Sequence, residues 1–252
     1  MKNANAAPLA QTLPEKLAEA LSERITDGTY GPGARLTEGV LAKEFGVSHG
    51  PVRDALRMLE RAGLVNILPY RGAQIAQLDV QEVQELYQVR AALVGLRARW
   101  IAENPKREAF LAQAEKAVEQ LEALAAAPDK SEEYAAAALA LNRSFTENVS
   151  NRWLRTMLQG LSLQTARYTR VGLADPEHRR ESARYWRKLL ETIRAGDADQ
   201  AEKIASENSL ASRDAAIRYL ESVQKAASGI LETRQLRPAV LRKAAATNPR
   251  KT

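Results

Sequence analysis

Residues 32–56 constrain this chain more than any other stretch. Thr37 is placed to cap a helix over 37–45, Gly46 ends that helix, and Ser48 is placed to cap another that runs to about residue 62. Pro51 falls in the first turn of this second helix, where a missing N–H costs little. Two short helices joined so tightly make a helix-turn-helix, whose second helix can lie in the major groove of duplex DNA.

The flanking residues complete a domain. Upstream, Pro14 suits the first turn of a helix in which Leu13, Leu17, Leu21 and Ile25 recur at helical spacing, and Gly28, Gly31, Pro32 and Gly33 stop it. In the second helix of the pair, Val52, Ala55, Leu56 and Leu59 form the buried stripe, while Arg53, Arg57 and Arg61 share another face. Gly63 is a natural C-terminal stop. Two apolar runs, 64–68 and 73–76, then flank a turn at Pro69, Tyr70, Arg71 and Gly72, the pattern of a β-hairpin. Three helices followed by a hairpin predict a winged helix-turn-helix over 13–76, behind an Ala/Asn/Gln-rich flexible segment over 1–12.

From Asp79 onward the pattern is helical, with helices expected over 79–103, 105–126, 131–149, 151–171, 176–195 and 197–226. The breaks between them are short, which favours antiparallel neighbours in an all-α bundle over 77–226. The fold class is therefore mainly α, a small winged head on a helical body. Residues 227–252 carry six Lys or Arg and one acidic residue, and are expected to form a disordered basic tail. The net charge of +6 resides mostly in that tail, because residues 77–225 hold 22 basic and 22 acidic side chains. Overall charge is thus a poor guide to DNA binding here; a cluster on one face is a better one.

Several classes are excluded or disfavoured. With no Cys there is no disulfide, thiolate metal site or thiol redox chemistry. No apolar run reaches the length of a membrane span or a signal peptide, so a cytoplasmic location is expected. No carboxylate–His metal set, nucleophile motif or Gly-rich phosphate loop points to an enzyme.

These residues carry a resemblance. Residues 32–71 resemble the winged helix-turn-helix of GntR-type bacterial transcription regulators. Residues 86–93, Leu-Tyr-Gln-Val-Arg-Ala-Ala-Leu, resemble the opening of the effector-binding helical domain (FCD) of the FadR-like subfamily, and residues 189–201 resemble its last helices. The likeness spans about residues 12–225. It implies a homodimer that binds a near-palindromic double-stranded operator, more commonly as a repressor. It also implies a small metabolite, often an organic acid, bound in the helical domain. Many members hold a divalent metal there through an Asp, a His four residues later and two further His. At those positions this chain has Asn142, Thr146, Trp186 and Asn208, and its only histidines are His49 and His178. No metal and no cofactor are expected.

The reader departs from its family as well. Where the family commonly has Ser-Arg-Thr-Pro-Val-Arg, this chain has Ser48, His49, Gly50, Pro51, Val52 and Arg53, and Gly39 stands where an Arg is frequent. The candidate DNA-binding residues are Arg35, Lys43, Ser48, His49, Gly50, Val52, Arg53, Arg71 and Gly72. Arg53 can offer a bidentate fork to guanine. His49 can reach a phosphate or a base edge, or stand solvated; Gly50 allows close backbone approach. Ser48 is first an N-cap and second a phosphate contact. Arg35, Lys43 and Arg71 suit phosphate or the groove edge, with Arg71 at the wing tip near a minor groove. Arg57 and Arg61 fit a solvated helix face.

For the effector, the candidates are Arg90, Asn142, Thr146, Trp186 and Asn208. Arg90 shares a helix with Leu86, Val89 and Leu93, and once buried it needs an anionic partner. A carboxylate effector would satisfy it bidentately, and so would a structural salt bridge. The other four supply amide, hydroxyl and indole groups to a pocket, or fill it themselves. Arg97, Arg167 and Tyr168 are weaker candidates. A helical domain that only dimerises and has lost effector sensing is the alternative.

Overall fold

The computed structural model describes residues 11–69 and 71–245, with side chains described as far as residue 226. The last helix runs on to Ala245, which is a correction: residues 227–245 of the tail expected to be disordered over 227–252 are helical. Residues 246–252 and most of the 1–12 segment lie outside the described residues.

The head is built as its sequence predicts, with one addition. Helix α1 (Leu13–Thr26) opens on a reciprocal cap, in which the Thr12 amide donates to Glu15 Oε2 at 2.7 Å. Helices α2 (Glu38–Phe45) and α3 (His49–Arg61) follow. Leu17, Leu21 and Ile25 of α1 pack on Leu41, Val52, Leu56 and Leu59 in one core. Each such side chain contributes about 1.5–3 kcal/mol by leaving water. Leu13, at the same spacing, stays 46% exposed because it precedes the packed turns. Thr37 caps α2 as expected, accepting from the Val40 amide, but Ser48 only occupies the N-cap position of α3, and its side chain makes no capping hydrogen bond.

The wing is a hairpin of β2 (Val65–Leu68) and β3 (Gly72–Ile75), joined by a strand the sequence does not announce, β1 (Arg35–Leu36). The order is β1-β3-β2, all antiparallel, with Arg35 opposite Gln74 and Val65 opposite Ile75. Two residues are too short to show alternation. Gly72 lets β1 come close: its φ is +82°, and a Cβ there would lie 2.3 Å from the Leu36 carbonyl oxygen.

In the body, Asp79 and Glu82 form a capping box that starts α4 (Val80–Glu103). Then come α5 (Arg107–Ala126), α6 (Ser131–Glu147), α7 (Arg152–Gly172), α8 (Pro176–Ala195) and α9 (Ala198–Ala245). Helix α4 lies at the centre and packs most closely on α9. A Cβ on Gly95 would lie 2.4 Å from Ser206 Oγ, so the small residue sets that approach. Phe110, Phe145 and Trp186 stack through the core at centroid distances of 4.8 and 5.2 Å. No helix among the described residues is long and apolar enough to cross a membrane.

The buried face of α4 reads Val83, Tyr87, Arg90, Val94, Arg97 and Ile101. That is an a/d-type stripe with two apolar positions taken by arginine. It differs from the face expected for Arg90. Val89 is 55% exposed and Leu86 half-buried, while Leu93 is half-buried against the main core of the body.

Candidate functional site

A groove in the head is lined by Glu38 and Gly39 at the start of α2, His49 and Arg53 on α3, and Arg71 and Gly72 of the wing. Arg53 lies in this groove as a locked fork. Its Nε donates to Glu38 Oε1 at 3.0 Å and its Nη2 to Glu38 Oε2 at 2.8 Å. The hydrogen bond from Arg53 holds the Glu38 carboxyl below its usual range, and Glu38 in turn raises Arg53. Arg53 Nη1 remains without a protein partner among the described residues, on the exposed side of the helix. The His49 ring sits 3.8 Å from where a Cβ of Gly39 would be, and its Nδ1 is 3.9 Å from Glu38 Oε2. The missing side chain at Gly39 therefore leaves room for the imidazole.

The structure thus brings His49, Arg53, Arg71 and Gly72 together. Arg35, Lys43, Ser48 and Gly50 are exposed on the same head but do not line the groove. Val52 is a correction: it is 1% exposed, its side chain belongs to the core, and it has no surface to offer DNA. Gly72 lines the groove, yet its backbone geometry against Leu36 accounts for the residue by itself. Glu38 escaped the sequence reading because an acid in the first turn of a helix ordinarily needs no further explanation than the helix dipole.

The second site is a cavity of about 40 Å³ inside the body, between α4, α6, α8 and α9. Arg90 and Arg97 reach it from α4, Asn142 from α6, Trp186 from α8 and Asn208 from α9. Arg90 is 8% and Arg97 2% exposed. Neither has a carboxylate within salt-bridge reach among the described residues. Arg90 Nη1 donates to Ser209 Oγ at 2.9 Å. Arg97 Nη1 donates to the Asn142 carbonyl at 3.0 Å, to Asn142 Oδ1 at 2.9 Å and to Thr146 Oγ1 at 2.8 Å. The Nε of each arginine is buried without an acceptor, and Asn208 Oδ1 is buried without a donor. Burial, with Arg90 adding like-charge repulsion, pulls the Arg97 guanidinium down to about 9; burial likewise lowers Arg90. A buried charge left without a counter-charge costs several kcal/mol.

Four of the five expected effector residues therefore meet at one cavity. Thr146 is the exception: it is 2% exposed, lies behind Asn142 and is used up by Arg97. Arg97, rated below Arg90 on sequence, is the residue that ties α4 to α6. It sits seven positions after Arg90, on the same helix face, which is the one signal that could have paired them.

A divalent metal does not fit this donor set. Asn142 Oδ1 and Thr146 Oγ1 already accept from a cation, Trp186 has no donor lone pair, and Asn208 is a neutral amide. Among the described residues no group of three or more His, Cys, Asp or Glu could hold a metal ion.

A winged helix-turn-helix carried on a helical body defines a class of DNA-binding transcription regulator. The chain belongs to the bacterial regulatory proteins of the gntR family: that family's model matches residues 13–75, and the FCD domain model matches residues 85–208. It is a transcriptional regulator, not an enzyme. It is 29% identical over 188 residues to the uncharacterized HTH-type transcriptional regulator YdhC of Bacillus subtilis, covering 73% of this chain and 81% of that one. It is 26% identical to the galactonate operon transcriptional repressor of Escherichia coli, covering 76% and 91% respectively. The E. coli McbR/YncC structure shares the fold, with a TM-score of 0.70 at 21% identity over 84% of this chain and 99% of that one.

Proposed function

We propose that the protein is a homodimeric operator-binding repressor, acting in the cytoplasm, whose affinity for DNA is set by a small anionic metabolite in the body's cavity. The single observation that carries this reading is the pair of buried guanidiniums, Arg90 and Arg97, which share a cavity and have no carboxylate partner among the described residues. A carboxylate would supply the missing counter-charge and accept from the free N–H groups. A body that merely dimerised would gain nothing from maintaining two buried cations with no counter-charge among the described residues, so the loss-of-sensing alternative is disfavoured.

Repression is supported by relatives named as operon repressors, of which the E. coli galactonate regulator is one. Dimerisation is supported by an uncovered apolar face on α7, where Trp153 is 64% and Met157 55% exposed at helical spacing. Two heads related by a two-fold axis would read the two halves of a near-palindrome through Arg53 and His49. A ligand shifts such binding only by its differential affinity for the two arrangements of the heads.

The experiment is to select bound fragments from genomic DNA with the full chain, then titrate the enriched duplex with and without a panel of organic acids. We expect a palindromic site whose affinity changes with at least one acid. Selection that enriches no common sequence would overturn the operator reading. A selected site that responds to no metabolite would overturn the effector reading.

A further inference from the structure

This inference rests on the effector reading above and names its chemistry. We infer that the resident cation of the cavity is the Arg97 guanidinium in place of a divalent metal, and that Arg90 and Arg97 bind a compact dicarboxylate directly, one carboxylate on each guanidinium fork.

The first argument is occupancy. Asn142 and Thr146 stand where the family resemblance puts two metal ligands, and here both accept from Arg97 Nη1 at 2.9 and 2.8 Å. The guanidinium thus brings a fixed positive charge to that corner without an exchangeable ion. Asn142 and Thr146 serve it as acceptors, a role both side chains can fill when neutral.

The second argument is the free edge. Each arginine spends only Nη1 on protein hydrogen bonds, Arg90 on Ser209 and Arg97 on Asn142 and Thr146, while the guanidinium lies over a ring, Tyr87 for Arg90 and Phe145 for Arg97. That leaves the Nε–Nη2 edge of both unpartnered, with each Nε fully buried. Two parallel N–H groups on one edge are the geometry that grips a carboxylate bidentately.

The third argument is spacing and size. Seven residues place the two arginines on one helix face, two turns apart, and both side chains converge on the one small cavity. Two forks so placed suit two carboxylates on one ligand better than a single tetrahedral anion. Val94 lies between them on the same stripe, and Trp186 adds an apolar wall for the carbon chain. At about 40 Å³ the cavity takes roughly three waters' worth of ligand, which limits the chain to a short one. Asn208 Oδ1, buried without a donor, suits a ligand hydroxyl.

The test uses the full chain, dialysed against a chelator. Malonate, succinate and malate are titrated by calorimetry and thermal shift, with acetate and succinamide as controls. We expect the dicarboxylates to bind and stabilise the protein without added metal, and acetate to bind at least about tenfold more weakly because it fills one fork. Zinc or nickel should change nothing. Arg97→Lys keeps the charge but loses the fork, so binding should fall at least about tenfold with the circular dichroism unchanged. Arg97→Met removes the uncompensated charge, so it should raise the melting temperature of the ligand-free protein while abolishing the response to malonate. Binding that appears only after a divalent metal is added, stoichiometric metal in the purified protein, or unaltered affinity in Arg97→Lys would overturn the proposal. A neutral metabolite that binds and shifts operator affinity would overturn the dicarboxylate and leave the effector reading standing. An operator affinity that answers to no metabolite would overturn both.

Discussion

The Arg53 guanidinium lies fork to fork on the Glu38 carboxylate, at 3.0 and 2.8 Å. The side chain proposed to read a base is therefore held in place before DNA arrives. Glu38 belongs to α2 and Arg53 to α3, so the pair also fixes the two helices of the reader against each other. Preorganisation of this kind lowers the entropy cost of a specific contact.

Two outcomes follow for DNA binding. Arg53→Ala should cost about 1–3 kcal/mol at the selected operator and relax preference at one base pair. Glu38→Ala removes a negative charge facing DNA, so binding to a scrambled duplex should tighten while the ratio of specific to non-specific affinity falls. Fluorescence anisotropy on both duplexes measures this. A ratio unchanged in Glu38→Ala would show that the carboxylate does not position Arg53.

His178 sets an acid limit on the body. It is 1% exposed in the first turn of α8, where burial pushes its pKa below the ordinary imidazole value. Arg218 adds to that lowering, while Glu181, at 3.4 Å from Nδ1, and Asp175 oppose it. The folded state thus binds fewer protons than the unfolded state below about pH 6.5. Stability should be present in full above that pH and decline as pH falls through it. Denaturant titrations from pH 7.5 to 5.0 should show the decline in the wild type and a shallower one in His178→Gln. Equal slopes would assign the loss to other groups.

The apolar face of α7 offers a direct test of assembly. Replacing Trp153 and Met157 together by Glu places two charges on a surface now 64% and 55% exposed, so the monomer should fold normally. Light scattering should report a dimer for the wild type and a monomer for the variant, with operator affinity reduced. A variant that stays dimeric would move the interface elsewhere.

Cavity and head are joined through adjacent residues of α7. Thr169 lines the cavity and its Oγ1 shares a 2.9 Å hydrogen bond with the Tyr87 hydroxyl, while the Tyr168 hydroxyl accepts from the Leu78 amide at 2.9 Å. Leu78 lies in the connection between β3 and α4. Tyr168→Phe should leave ligand affinity and operator affinity each close to wild type and reduce the change that ligand produces in operator binding. Full retention of that change would place the coupling on another route.

Much of this was legible in the residues, for identifiable reasons. The reader was visible because caps, glycine stops and apolar spacing in residues 32–62 agree with one another. The body's helices were visible because their breaks fall at Pro, Gly and Asn. What was not legible depends on how helices face each other. Arg97 reads only as a weaker effector candidate until the packing of α6 puts Asn142 and Thr146 against it. Leu86, Val89 and Leu93 read as the apolar face beside Arg90, yet Val89 is 55% exposed and the stripe that α4 buries runs through Tyr87 and Val94. Strand β1 is two residues long and exists because Gly72 admits the Leu36 carbonyl at close range.

The most direct measurement is operator affinity against malonate concentration, with the same protein sample titrated by calorimetry. We expect the dissociation constant for the selected duplex to change at least about fivefold, with its midpoint at the calorimetric affinity for malonate. An operator constant that stays flat while malonate saturates the protein would contradict control of this reader by the Arg90–Arg97 cavity.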